Sequence, residues 1–160
     1  MNQKTFPLIN PAELVKIREH HDLVLVDVRT GPDSKASYLS KHLAGAVFVE
    51  LNDDLADIKA DAADGGRHPL PSPASFAKVL QRCGITRESY VVAYDDKNGA
   101  NAAARFWWML RAAGHAKVSV LNGGFDFAVK AGFPVRSGEE TVGNVESYEF
   151  SEWSLPTATV

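Results

Sequence analysis

Few groups in this chain could do chemistry. The one thiol is Cys83, which excludes an internal disulfide framework or a multi-cysteine zinc knuckle. It lies in Leu80-Gln81-Arg82-Cys83-Gly84, at the end of a helical segment that carries Phe76, Val79 and Leu80 on one face and stops at a glycine. The negative end of a helix dipole opposes a thiolate. Arg82 offsets that effect only slightly, and a lone helical cysteine behaves as a small buried hydrophobe. Cys83 is expected to be structural.

The loop Asp95-Asp96-Lys97-Asn98-Gly99-Ala100 has a different design. It follows the apolar run Val91–Tyr94 and feeds a helical segment whose first amides favour negative charge. Such a loop suits a thiolate or an anion, yet its strand end carries a carboxylate of its own, Asp95. The plainer account is that Asp95 or Asn98 caps the helix, worth about 1 kcal/mol. Asp27 and Arg29 end another apolar run and are expected to pair with each other or with loop backbone.

Metal chemistry finds little support. A magnesium pocket from Asp27, Asp95 and Asp96 would need a phosphoacceptor and a distal lysine on the right strand ends, and the turn Gly123-Gly124 does not fit it. Asp57, Asp61 and Asp64 have the wrong spacing for calcium, with no glutamate at the twelfth position. The histidines His20, His21, His42, His68 and His115 show no ligand spacing with Cys83 or one another, so neither metal nor cofactor is expected. His42, ahead of Leu43-Ala44-Gly45, is expected to bond locally and hold a turn that requires Gly45.

The elements that must position these groups follow from periodicity. Leu23–Arg29, Val91–Asp95, Val118–Leu121 and Ala46–Leu51 read as short strands, the first three buried on both faces, with Phe6–Ile9 at an edge where Pro7 is tolerated. Helices are expected over Pro11–Arg18, Asp33–Lys41, Ser72–Cys83, Ala100–Ala113 and Phe125–Lys130. Alternating strands and helices give an α/β sandwich on a mostly parallel sheet. Asn52–Pro73 reads as a long acidic surface loop. After Pro134 the periodicity fades, and Phe150, Trp153 and Leu155 have no element to host them, so this tail is expected to pack on something. Phe106, Trp107 and Trp108 cannot all face one way, and one of them is expected to meet a neighbouring domain.

The chain has 160 residues, 45 % hydrophobic and 23 % charged, with a formal charge of −3. That suits one globular domain and argues against nucleic acid or an anionic membrane as partner. No apolar run approaches the roughly 20 residues of a membrane span. Met1–Thr5 carries no apolar targeting segment, which reads as cytoplasmic.

Asp27-Val28-Arg29, Tyr38 with His42-Leu43-Ala44-Gly45-Ala46, Val91–Tyr94 and Val118–Gly124 resemble, in order and spacing, the rhodanese domain of sulfurtransferases from about Leu8 to Arg136. Arg67–Pro73 and Ala104–His115 look like the N-terminal domain of the two-domain thiosulfate and 3-mercaptopyruvate enzymes. Phe127 stands where the family commonly has tryptophan. The resemblance implies a three-layer sandwich with a central, mostly parallel five-stranded sheet and helices on both faces. In active members a cysteine opens the loop after the fourth core strand and carries sulfane sulfur as a persulfide, held by backbone amides. The matching position here is Asp95, so the loop of Asp95, Asp96, Lys97, Asn98, Gly99 and Ala100 is expected to be degenerate and the chain silent alone. Asp27, Arg29 and His42 become structural supports near that loop. Residues 1–136 form the domain, 137–160 a linker toward a second repeat, and a catalytic repeat is the implied partner. The alternatives are a free-standing module that binds a protein or small anion and, more weakly, an enzyme using Cys83.

Overall fold

Short β-branched runs form the centre of the molecule because they can be buried on both faces. A computed structural model describes residues 5–158; Met1–Lys4 and the last two residues of the tail lie outside them. In chain order the elements are β1 (Leu8–Ile9), α1 (Pro11–Ile17), β2 (Leu23–Asp27), α2 (Ser34–Ser40), β3 (His42–Leu43), β4 (Val47–Phe48), α3 (Leu51–Asp54), α4 (Pro73–Arg82), β5 (Tyr90–Tyr94), α5 (Ala102–Ala112), β6 (Val118–Leu121), α6 (Gly124–Lys130) and β7 (Val135–Arg136). The central sheet has five strands in the order β1-β6-β5-β2-β4, and every pairing is parallel.

Alternation along the strands divides the core into two layers. Val26, Val91, Ala93, Val118 and Val120 pack against Phe76 and Leu80 of α4 and Phe106 and Leu110 of α5. Leu25, Val92, Tyr94 and Leu121 pack against Leu14 of α1 and Phe125 and Ala128 of α6. Helices therefore cover both faces, as the alternation predicts. The β2–β5 register runs from Leu23 opposite Tyr90 to Asp27 opposite Tyr94, which sets Asp27 and Tyr94 side by side at the carboxyl edge of the sheet.

Three local expectations change. The strand expected over Ala46–Leu51 shrinks to β4, and the long loop expected from Asn52 gives its first residues to α3. The Glu50 carboxylate accepts the Asp53 amide at 2.8 Å and starts that turn instead. A second sheet, β3 antiparallel to β7, has no counterpart in the periodicity. His42 does not only hold a local turn. One ring nitrogen faces the Tyr38 carbonyl at 2.8 Å and the other reaches Glu140 at 2.9 Å, while the Gly45 amide, in a left-handed turn (φ +86°), donates to the same carboxylate oxygen.

The tail packs on its own domain. Phe150 and Trp153 pack on Phe76 with ring centroids 6.2 and 5.6 Å away, and Trp153 lies 6.4 Å from Trp108. Trp108 is thus met by the chain's own tail. Trp107 is half-buried and donates its indole N–H to the Val118 carbonyl at 3.2 Å.

Tyr148 fixes the tail from beneath. His115 is buried, with one ring nitrogen 2.8 Å from the Tyr148 hydroxyl and the other 2.9 Å from the Ser89 carbonyl. Burial holds the imidazole below its ordinary pKa of 6.5. As pH falls below 6.5 the unfolded chain takes up a proton that folded His115 resists, so stability is full above that value and declines below it. Glu140 has a lowered pKa, because its bonds to His42 and Gly45 and the Arg136 charge together outweigh burial, so its contribution is lost only below 4.5. Urea midpoints measured between pH 7.5 and 5 should fall with acidification in the wild type and flatten in His115→Gln. An equal slope in both proteins would remove His115 as the cause.

Candidate functional site

Asp95 is the first residue beyond β5 and is fully buried. Its carboxylate accepts four backbone amides. Oδ1 takes Lys97 and Gly99, each at 2.8 Å. Oδ2 takes Asn101 and Ala103, each at 3.2 Å. The last two belong to the start of α5, so Asp95 is a helix cap and also the centre of the loop that precedes the helix.

Backbone conformation aims the amides. Asn98 (φ +59°) and Gly99 (φ +81°) are consecutive left-handed residues, which curl the loop around the carboxylate instead of running straight into the helix. A Cβ at Gly99 would collide with the Val120 side chain, and one at Gly124 would collide with the Asp95 carbonyl oxygen. That oxygen accepts the Phe125 amide at 3.1 Å, so the turn after β6 closes the far side of the loop. Asp96, Lys97 and Asn98 are exposed around this centre, and Ala100 is exposed at its exit.

Asp27 and Arg29 supply the adjoining wall. The Arg29 guanidinium bonds the fully buried Asp27 carboxylate at 2.7 Å, donates to the Lys41 carbonyl at 2.6 Å, and lies 4.4 Å from the centre of the Phe125 ring. Burial alone would lower the Arg29 pKa, but the bond to Asp27 and its charge outweigh it and raise the pKa. The Tyr94 hydroxyl donates to Asp27 at 2.8 Å and accepts the Leu43 amide at 3.1 Å. Burial, assisted by the Asp27 charge, pushes this phenol well above its ordinary pKa and keeps it a donor. Asn101 donates to the Thr30 hydroxyl at 3.2 Å, which joins the Asp27–Arg29 turn to the Asp95 loop.

His42 stands apart in a second network with Tyr38, Gly45 and Glu140. Its ring stacks on Tyr38 at 4.2 Å, and Tyr94 links the two networks through Leu43. Sequence reasoning did not find Tyr94, Glu140 or Arg105. The Arg105 guanidinium holds the long loop by donating to the Leu55 and His68 carbonyls at 2.7 and 2.9 Å. A partner 37 or more residues away leaves no local pattern.

Cys83 lies elsewhere. It is buried in the wall of a cleft of about 470 Å³ whose lining also includes Tyr38, Phe48, Asp54 and Arg82 and none of residues 95–100. Burial pushes its thiol up to about 12, although Arg82 pulls the other way. Among the described residues, no helix is long and apolar enough to cross a membrane.

Comparison with known proteins places this geometry. Residues 10–129 match the rhodanese-like domain family. SseB of Mycobacterium tuberculosis is 46 % identical over 144 residues, covering 86 % of this chain and 50 % of that protein. The thiosulfate sulfurtransferase of Gallus gallus is 40 % identical over 104 residues, covering 64 % of this chain and 34 % of its own. A 3-mercaptopyruvate sulfurtransferase from Leishmania major superposes with a TM-score of 0.79 at 28 % identity, covering 99 % of this chain and 42 % of that one. The chain spans half or less of the length of these relatives. The matched span, the parallel five-stranded sheet and the sulfurtransferase relatives agree: this chain belongs to the rhodanese-like domain family.

Proposed function

We propose that this chain is a non-catalytic rhodanese domain, the N-terminal half of a thiosulfate or 3-mercaptopyruvate sulfurtransferase, which shapes and shields the active site of a catalytic repeat. The observation that carries the reading is the Asp95 carboxylate seated among four inward-pointing amides. In active members that place belongs to a cysteine whose persulfide the amides stabilise. A carboxylate takes the same stabilisation but has no sulfur to bind or pass on. Residues 137–160 are the segment that leads toward the second repeat, and the stretch that packs over α4 and α5 gives it a fixed point of departure.

Incubated with thiosulfate and cyanide, the purified chain should form no thiocyanate above the uncatalysed background. Asp95→Cys should gain one sulfur from thiosulfate, read as a mass increase reversed by cyanide, because the amide cradle is already built. Turnover by the wild type that Cys83→Ser abolishes would sink this account and favour chemistry at Cys83. A folded Asp95→Cys protein that takes up no sulfur would show that the cradle serves only the carboxylate.

A further inference from the structure

We infer that His20, His21 and Asp22 form a surface site for a divalent transition-metal ion, with zinc the probe of choice. The three residues are consecutive, and their number in sequence suggests no ligand pattern; the turn creates it. They join α1 to β2, and one donor atom from each lies within 4.8 Å of the other two. The His20 and His21 rings stack with centroids 5.0 Å apart and planes 15° from parallel. His21 Nε2 stands 3.2 Å from Asp22 Oδ1. Two ligands at about 2.0–2.2 Å in a tetrahedral zinc shell are separated by roughly 3.3–3.5 Å, so this pair already has nearly the right edge length. The His20 donor atom lies within 4.8 Å of both, and to close the third corner its ring must turn out of the stack with His21.

The backbone beneath is fixed although the two histidines are exposed and Asp22 is half-buried. The His20 amide donates to the Ile17 carbonyl at 2.9 Å, the Leu23 amide to the His20 carbonyl at 3.1 Å, and the Tyr90 amide to the Asp22 carbonyl at 2.8 Å. The turn is thereby anchored to the end of α1 and to β5. The contacts a metal would replace are short-range ones within the cluster, the His21–Asp22 pair itself and a 3.4 Å contact from the Asp22 amide to His20 Nδ1, and His21 is 86 % exposed. Two imidazoles and one carboxylate suit zinc, nickel or copper and not the all-oxygen preference of calcium or magnesium. Three protein ligands leave the fourth position to water or an added ligand. The site lies at the Leu23–Tyr90 end of the sheet, opposite the Asp95 loop, so it is independent of the proposed sulfurtransferase role.

Calorimetric titration of the chelator-stripped full chain with Zn²⁺ at pH 7.5 should show one saturable equivalent. Co²⁺ should give visible d–d bands that Zn²⁺ bleaches. His20→Asn, His21→Asn and Asp22→Asn should each weaken zinc binding by about tenfold or more, while His68→Asn should leave it within twofold. The altered side chains are on the surface, and unchanged thermal melts would confirm that each variant folds. No saturable uptake, no cobalt spectrum, or an equal loss in His68→Asn would overturn the site.

Discussion

Asp95→Ala should lower the stability of the fold by about 2–6 kcal/mol. The figure follows from the two fully buried amides, Gly99 and Ala103, that lose their acceptor, at about 1–3 kcal/mol for each unsatisfied buried group. The amides of Lys97 and Asn101 are partly buried and recover water more easily. Asp95→Asn is the sharper test because it preserves volume. Each carboxylate oxygen serves two amides, so whichever way the amide side chain turns, its N–H₂ group meets two donors. Asn should therefore destabilise nearly as much as Ala, against the usual rule that an isosteric change is mild. Urea midpoints of the three proteins decide the matter. An Asn variant within about 1 kcal/mol of wild type would mean that the loop re-forms without its anion.

Arg29→Met should cost about 3–5 kcal/mol, the range for removing one partner of a buried ion pair. The penalty arises mainly from what remains. Asp27 is fully buried, and without the guanidinium it retains only the Tyr94 hydroxyl and the Arg29 amide as donors, with no countercharge. Removing the charge as well should restore much of the loss, since a buried pair is often no better than well-packed apolar residues. Chemical denaturation of Arg29→Met and of Asp27→Leu/Arg29→Met checks this. A double variant no more stable than the single one would place the cost in the lost Lys41 and Phe125 contacts instead.

How much of this was legible depended on how far apart the partners lie in the chain. The β2, β5 and β6 runs were plain because full burial demands unbroken apolar stretches with polar ends. The Asp95 loop was legible as an anion cradle because a strand leading into a helix turns amides toward one point. Its occupancy by four amides was not, because that depends on the left-handed turn at Asn98 and Gly99 and on the approach of Gly124 from the next strand. Ala46–Leu51 misled because β-branched and aromatic residues suit a strand, yet Glu50 caps a helix that begins at Leu51 by accepting the Asp53 amide. The tail had no periodic pattern, since its aromatic groups are placed by a surface on α4 and α5 and not by one another's spacing.

The sequence by itself determined the layered α/β architecture, the one possible thiol and the carboxylate at residue 95, because these depend on residue type and local period. Tertiary structure alone decided what each group meets. It buried Cys83 at the edge of the core, set Tyr94 between Asp27 and Leu43, tied His42 to Glu140, folded residues 148–154 onto their own domain, and brought the donor atoms of His20, His21 and Asp22 within 4.8 Å of one another. The physical reason is that burial and hydrogen bonding are satisfied by whichever groups the sheet register and the turns bring within about 3 Å, without regard to their separation along the chain.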